Sequence, residues 1–434
     1  MLRIIRILIL LGLLIIAAIA TEVSASNSTI EVLKVKGAIN PVLVDYIKEG
    51  IDQAEEKNAI ACVIQLDTPG GLDTAMRDIV QEIVSSKIPV VVYVSPSGAR
   101  AASAGVFITM AAHVAVMAPN TAIGAAHPVA IGTEGEEQMS EAMEEKIVND
   151  AAAYIRSIAA AHGRNIEWGE KAVRESVSAT EQEALELNVI DMVAPDLNAL
   201  ISQLDGRQVT MLDGSVVTLY TQGATINHAT MNWIEDFLYT ISDPNIAYIL
   251  LSVAMLGIMV EIFNPGLIFP GVVGGICLLL AFYSLGMLPV NYAGVLLIVL
   301  AFGLFIAEVF TASFGLFTAG GITSLVIGSL ILFKGGPLFS IDPWLIATVV
   351  IIIAALFAFI LSRVIRSHRR QASTGREELV GKKAKVMIAL EPEGTVLFKG
   401  ERWTAISEKG RVEPGEEVII TKVDGLQLYV TKKE

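Results

Sequence analysis

The chain has 434 residues, too many for one ordinary domain, and 53% of them are apolar, with a mean hydropathy of +0.61. Those values exclude a wholly soluble protein and call for membrane spans. A formal net charge of −14 argues against a nucleic-acid partner. The two cysteines and five histidines show neither disulfide nor ligand spacing, so no metal or cofactor is expected.

The first residues read as a secretory signal: Arg3 and Arg6, an apolar run from Ile7 to Ala20, then the small-residue site Val23-Ser24-Ala25. An uncleaved membrane anchor is the rival, but the run is shorter than the ~20 residues a span prefers, so cleavage near Ala25 is expected; either way the following segment is exported. From Thr29 onward, strand-like and helix-like runs alternate. Thr29 to Val35 is a strand, and Pro41 to Lys57 an amphipathic helix with Val42, Val44, Ile47, Ile51 and Ala54 on one face. Ile60 to Leu66 and Val90 to Val94 read as buried strands, with Ala75 to Ser85 a helix between them. This rhythm predicts a mostly parallel sheet with helices on both faces. Met139 to His162 is a long helix, a capping box at Thr180 to Glu183 opens another, and Val189 to Val193 is a short strand.

A hairpin is expected about Asp213-Gly214, followed by a polar, amphipathic connector from Thr221 to Asp243. Five apolar runs then follow, divided by Pro/Gly breaks: Ile246–Ile262, Leu267–Met287, Ala293–Phe310, Leu316–Phe333 and Pro343–Leu361. Glu261-Ile262-Phe263 before Gly274-Gly275-Ile276 is echoed by Glu308-Val309-Phe310 before Gly320-Gly321-Ile322. The paired glycines suit close helix packing, and the two glutamates read as interfacial groups in water. Arg363, Arg366, Arg369 and Arg370 place the end of the last run in the cytoplasm, consistent with an exported first domain and five spans; Lys334, on the outer side, runs against it. Five short alternating strands from Ala384 to Thr431 predict a small all-β barrel of the OB-fold kind. It lacks a basic face interleaved with aromatics, so it reads as a protein-contact module. The organisation is a signal (1–25), an α/β domain (26–205), a connector (206–244), a multi-pass α-helical membrane domain (245–362) and the C-terminal barrel (376–434).

The chemistry concentrates at Gly98-Ala99-Arg100-Ala101-Ala102-Ser103-Ala104-Gly105. A serine with only small neighbours, between a strand and a helix, has helix N–H groups and a positive dipole end beside its hydroxyl. Small residues at such junctions also serve packing alone. Asp67-Thr68-Pro69-Gly70-Gly71 ends the second strand, and its glycines let backbone N–H groups approach a carbonyl oxygen, as in an oxyanion hole. Two bases compete for the serine proton. Lys146 suits the role if desolvated, although Glu144, Glu145 and Asp150 are natural ion-pair partners for it. The other is His127, in Gly124-Ala125-Ala126-His127-Pro128.

On these residues the chain resembles the long form of the NfeD family, membrane-bound ClpP-class serine proteases. The likeness is carried by Asp67-Thr68-Pro69-Gly70-Gly71, Ala101-Ala102-Ser103-Ala104-Gly105 and Met117-Ala118-Pro119-Asn120-Thr121-Ala122-Ile123-Gly124-Ala125, with Ala179-Thr180-Glu181-Gln182-Glu183-Ala184-Leu185 before Val189-Ile190-Asp191. The order of modules is similar too, so the likeness spans essentially the whole mature chain. It implies an α/β ClpP/crotonase-like fold and a Ser–Lys dyad, with Ser103 as nucleophile and Lys146 as base. Gly70 and Gly71 would line the oxyanion hole together with the N–H of Ala104. His127 sits about where soluble ClpP peptidases carry their histidine, and stays open as the alternative base. The resemblance further implies cleavage of apolar segments in stomatin- or prohibitin-like membrane proteins, a stomatin-, prohibitin- or flotillin-like partner, contact with lipid, and a homo-oligomer of two or more subunits. Two other functions compete: a non-catalytic scaffold for stomatin- or flotillin-like assemblies, and a transporter using Glu261 and Glu308. The first has no need of the serine, lysine and glycine set, and the second leaves the exported domain unexplained.

Overall fold

The computed structural model describes residues 28–129, 141–311, 315–334, 339–369 and 379–432. The signal segment and Arg370 lie outside the described residues. In chain order the first strands are β1 (Thr29–Lys36), β2 (Ala61–Asp67), β3 (Val90–Val94), β4 (Arg100–Ala102), β5 (Val114–Met117), β6 (Ala122–Gly124), β7 (Ser178–Thr180) and β8 (Met192–Val193). A hairpin of β9 (Gln208–Thr210) and β10 (Val216–Thr218) follows, then β11 (Thr225–Ala229). The main sheet has the order β11-β1-β2-β3-β5-β8 and is parallel throughout. Every residue of β3 is buried and β2 is buried but for Gln65 and Asp67, as continuous apolar runs in a two-sided sheet require.

One face of the sheet, with Leu33, Ile64 and Val92, is covered by α1 (Pro41–Glu56), α2 (Asp73–Ser85) and α3 (Ala104–Ala111). Asn40 caps α1 by accepting from the Leu43 N–H at 3.0 Å, and Pro41 occupies its first turn. After α4 (Glu141–Ala161) and α5 (Ile166–Arg174), the expected capping box opens α6 (Glu181–Glu186): the Thr180 N–H donates to Glu183 Oε2 at 2.8 Å. The other face, with Ile30, Val63 and Val91, is covered by Leu200 and Leu204 of α7 (Leu197–Leu204).

Two features depart from the sequence reading. The segment expected to be a connector supplies β11, the edge strand beside β1, and α8 (Trp233–Ile241). Its strand has no apolar alternation because it lies at an edge, where only one row of backbone groups is paired. Second, β4, β6 and β7 form a separate small sheet of three-residue strands behind Ser103, too short to leave a pattern.

Five apolar helices occupy the places of the five runs: α9 (Pro244–Phe263), α10 (Phe269–Met287), α11 (Tyr292–Phe310), α12 (Leu316–Leu330) and α13 (Pro343–Arg369). Among the described residues, three of them (α9, α10 and α11) are long and apolar enough to cross a membrane. The 15 residues of α12 rise only about 22 Å, less than the ~30 Å hydrocarbon core. Helices α9 and α10 meet at glycine: a methyl added at Gly274 would lie 2.9 Å from the Ile258 nitrogen. Helices α11 and α12 meet at Gly294 and Gly328, with the same intolerance. Glu261 is partly exposed, whereas Glu308 is only 4% exposed, so the expectation of two solvated glutamates does not describe Glu308.

The α/β part rests on these helices. Ala38 and Leu72 pack against an apolar cluster of Ala247, Leu288 and Phe339, and the Tyr239 hydroxyl donates to the Lys36 carbonyl at 2.5 Å. The C-terminal part is a closed barrel of β12 (Lys383–Ile388), β13 (Glu393–Phe398), β14 (Glu401–Ser407), β15 (Glu417–Asp424) and β16 (Gln427–Lys432), in the order β12-β13-β14-β16-β15. Val386, Val396, Ile420 and Val430 fill it. This is the five-stranded, OB-like barrel expected.

Candidate active site

The site is built where β2 ends. Thr68 donates its N–H to the Arg100 carbonyl at 2.8 Å and accepts from the Ala102 N–H at 3.1 Å, which draws β4 alongside. The turn then folds on itself: the Gly70 N–H donates to Thr68 Oγ1 at 3.0 Å, and the Gly70 carbonyl accepts from the Ile39 N–H at 2.8 Å. The Leu72 N–H donates to the Ile39 carbonyl at 2.9 Å. Those bonds occupy Gly70 and Leu72 and leave the Gly71 N–H over. Gly71 lies so close to Ile39 that a Cβ there would sit 2.2 Å from the Ile39 oxygen, so only glycine fits.

Ser103 is the N-cap of α3, with φ 53° and ψ −114°, a backbone conformation that L-residues rarely adopt. Two anchors hold it there. The Ser103 N–H donates to the Gly124 carbonyl at 3.1 Å, and the Ser103 carbonyl accepts from the Val106 N–H at 3.0 Å. The eight residues of α3 are all buried. Gly105 allows its first turn to press on the turn at Thr68: a Cβ there would meet Thr68 Cγ2 at 2.7 Å. The first N–H groups of a helix have no intrahelical acceptor, so that of Ala104 stands beside the hydroxyl.

Ser103, Ala104, Gly71 and Lys146 border one cavity of about 500 Å³. Leu72, Met76, Phe107, Val129, Met143 and Ile147 supply much of its apolar wall. Lys146 enters from the exposed face of α4. Of its acidic neighbours, Asp150 is engaged elsewhere, with Oδ2 2.5 Å from Arg77 Nη2, and Glu144 Oε1 lies 4.0 Å from His127 Nε2. Among the described residues Lys146 makes no ion pair. Arg77 is itself held by Asp73, at 2.8 Å, and stacks 4.5 Å above the Tyr154 ring.

Of the residues singled out from sequence, the fold brings together Ser103, Lys146, Gly71 and Ala104. Gly70 adjoins them but its N–H is spent on Thr68, and it has the positive φ (126°) that shapes the turn. His127 does not border the cavity. The Ala125 and Ala126 N–H groups are pinned to Val177 and Ala172, and His127 Nδ1 lies 2.8 Å from the Val173 carbonyl, so the ring turns toward Glu144. Thr68, Gly124, Arg77 and Asp150 carry the geometry and were not anticipated as such. The positive φ of Gly124 (143°) has a trace in the sequence, as a glycine between strand and loop; the Arg77–Asp150 pair has none. Among the described residues no three His, Cys, Asp or Glu side chains converge as a metal-binding group.

Three family models match the chain: the NfeD1b N-terminal domain over residues 29–211, the NfeD integral membrane domain over 245–363, and the NfeD-like C-terminal, partner-binding domain over 376–432. Among relatives, the membrane-bound protease PH1510 of Pyrococcus horikoshii is 39% identical over 434 residues, with 98% of each chain covered. Membrane protein NfeD1b of Bacillus subtilis is 28% identical over 446 residues, with 97% of each covered. Among solved structures, the 1510-N membrane protease specific for a stomatin homolog, from Pyrococcus horikoshii, is 35% identical, covering 50% of this chain and 99% of that one, with a TM-score of 0.44. The C-terminal domain of stomatin operon partner protein 1510-C, from the same organism, is 40% identical, covering 14% of this chain and 97% of that one, with a TM-score of 0.14.

Proposed function

The chain belongs to the NfeD family of membrane proteins, and we propose that it is a membrane-anchored serine endopeptidase working through a Ser103–Lys146 dyad. One observation carries this reading: a serine in a backbone conformation held against its preference shares an apolar-walled cavity with an exposed lysine whose neighbour Asp150 is paired with Arg77. A scaffold has no use for that expense. The relative PH1510, alike over almost its full length, bears the name of a membrane-bound protease.

The reaction is acyl transfer. Neutral Lys146 takes the Ser103 proton as Oγ attacks the scissile carbonyl carbon. The carbonyl oxygen gains the negative charge and is held by the N–H groups of Gly71 and Ala104, while Gly70 shapes the turn. The tetrahedral intermediate collapses, Lys146 hands its proton to the leaving amine, and an acyl-Ser103 ester remains. Water, deprotonated by Lys146, then releases the acid and restores Ser103. The apolar wall of the cavity suits segments from membrane-associated proteins, and the family resemblance points to stomatin- or prohibitin-like ones. In this reading the peptidase domain, extended through β11, is exported and the barrel is cytoplasmic, in a homo-oligomer in lipid.

The test is hydrolysis of a quenched apolar peptide by the full chain in detergent micelles. Loss of activity in Ser103→Ala and Lys146→Ala, with activity kept in His127→Ala, is the expected result. Activity undiminished in Ser103→Ala sinks the enzyme and leaves the scaffold. Loss in His127→Ala with Lys146→Ala active reassigns the base.

A further inference from the structure

We propose that Arg77 is a positioning residue for the reaction: by holding the Asp150 carboxylate it keeps Asp150 from pairing with the Lys146 amine beside it on α4. The inference rests on the dyad reading above and adds a device to it.

Lys146 and Asp150 are four residues apart on α4, so their side chains share one face, and both border the cavity. Left alone, a lysine and an aspartate at that spacing pair with each other. A paired ammonium holds its proton more tightly, which is the wrong direction for a general base. Arg77, on α2, prevents the pairing from across the cavity. Its Nη2 lies 2.5 Å from Asp150 Oδ2 and its Nε 2.8 Å from Asp73 Oδ2, while the guanidinium plane rests over Tyr154. Three anchors on a planar fork fix its direction in a way that a flexible ammonium would not.

Among the described residues, the charged groups near Lys146 in the two helices are Glu144, Glu145 and Asp150 on α4, and Asp73 and Arg77 on α2. Glu144 faces His127. Arg77 therefore acts on the amine twice, by drawing off Asp150 and by adding a positive charge of its own.

The experiment measures the pH dependence of Lys146 in the full chain in detergent micelles, by two readouts. The rate of acetylation at Lys146 by acetic anhydride, followed by mass spectrometry, reports the amine whether or not peptide is cleaved. The acid limb of kcat/KM on an apolar peptide reports it as a base. Arg77→Met is expected to move both curves up by about one pH unit, a loss of roughly tenfold on the acid limb, with the alkaline plateau kept. Asp150→Asn is expected to move them down, and the double variant to bring them back near wild type. Arg77→Lys restores the charge without the fork and falls between wild type and Arg77→Met. Curves that stay put, or single variants that shift in the same direction, overturn the inference. Shifted acetylation curves in a protein that cleaves no peptide would support the charge arrangement while sinking the peptidase reading.

Discussion

The backbone of Ser103 offers a test independent of any substrate. At φ 53° and ψ −114° a residue with a Cβ stores about 1–3 kcal/mol of strain, which the bonds to Gly124 and Val106 hold in place. Ser103→Gly releases that strain. The same change gives the unfolded chain more freedom, at a cost of about 0.5–1 kcal/mol. The difference is a net gain of about 1 kcal/mol from removing the proposed nucleophile. Ser103→Ala keeps the Cβ and the strain; the serine side chain makes no cap bond to the helix, so this variant should match wild type within about 0.5 kcal/mol. Hydrogen exchange of the amides in β3 and β5, read by mass spectrometry, measures the difference where global unfolding governs exchange. Ser103→Gly should exchange about fivefold more slowly than Ser103→Ala, since 1.4 kcal/mol is tenfold. Exchange in the glycine variant as fast as in the alanine variant, or faster, would refute the reasoning.

Three further outcomes follow from the geometry. Gly71→Ala forces a methyl into the Ile39 carbonyl and displaces the proposed oxyanion donor, so kcat on peptide should fall by about 10²–10³, a loss kinetics will separate from any change in KM. His113 and His162 are neutral inside the fold: burial first, and then the Arg164 charge, lower each to about 4 from 6.5. The unfolded chain therefore binds more protons between those values. The stability these rings contribute is intact above pH 6.5 and lost as pH falls through 4, up to about 3 kcal/mol apiece, which urea titrations at pH 7 and pH 4.5 will register. Asp191 accepts from Arg164 Nη2 at 2.8 Å, from Arg207 Nη2 at 2.9 Å and from the Ala115 N–H at 2.7 Å. Asp191→Ala leaves the 3%-exposed Arg164 side chain unpaired and should cost about 3–5 kcal/mol in the same titration.

What the residues disclosed beforehand follows from how locally each feature is written. β1, β2, β3, α1 and the barrel strands are runs of apolar residues with their own period, and their places could be read directly. The strands behind Ser103 could not, because three residues carry no period and exist only by pairing with segments far along the chain. The choice within Gly70-Gly71 was equally hidden. Both are glycines, and which N–H is free depends on Thr68 and on Ile39, more than thirty residues earlier in the chain. The surroundings of Lys146 are hidden for the same reason: α4 looks like a solvated, ion-paired helix until Arg77 is seen to reach Asp150 from α2. Nothing near His127 announces that its ring is tied to Val173.

The edge strand β11 sets a limit on how this protein can be cut. Glu31 in β1 is 1% exposed, and Asn227 in β11 donates to its Oε1 at 2.6 Å, with Lys57 the other donor at 3.0 Å. A fragment stopped at residue 205, where the α/β pattern fades in the sequence, would strip β1 of its neighbour and open that carboxylate to water. The row of bare amides left along β1 would invite another chain to complete it, so such a fragment should clump. The piece that finishes the sheet is also the last strand made before the first apolar helix. A working soluble version therefore has to carry its stitching as far as Ala229.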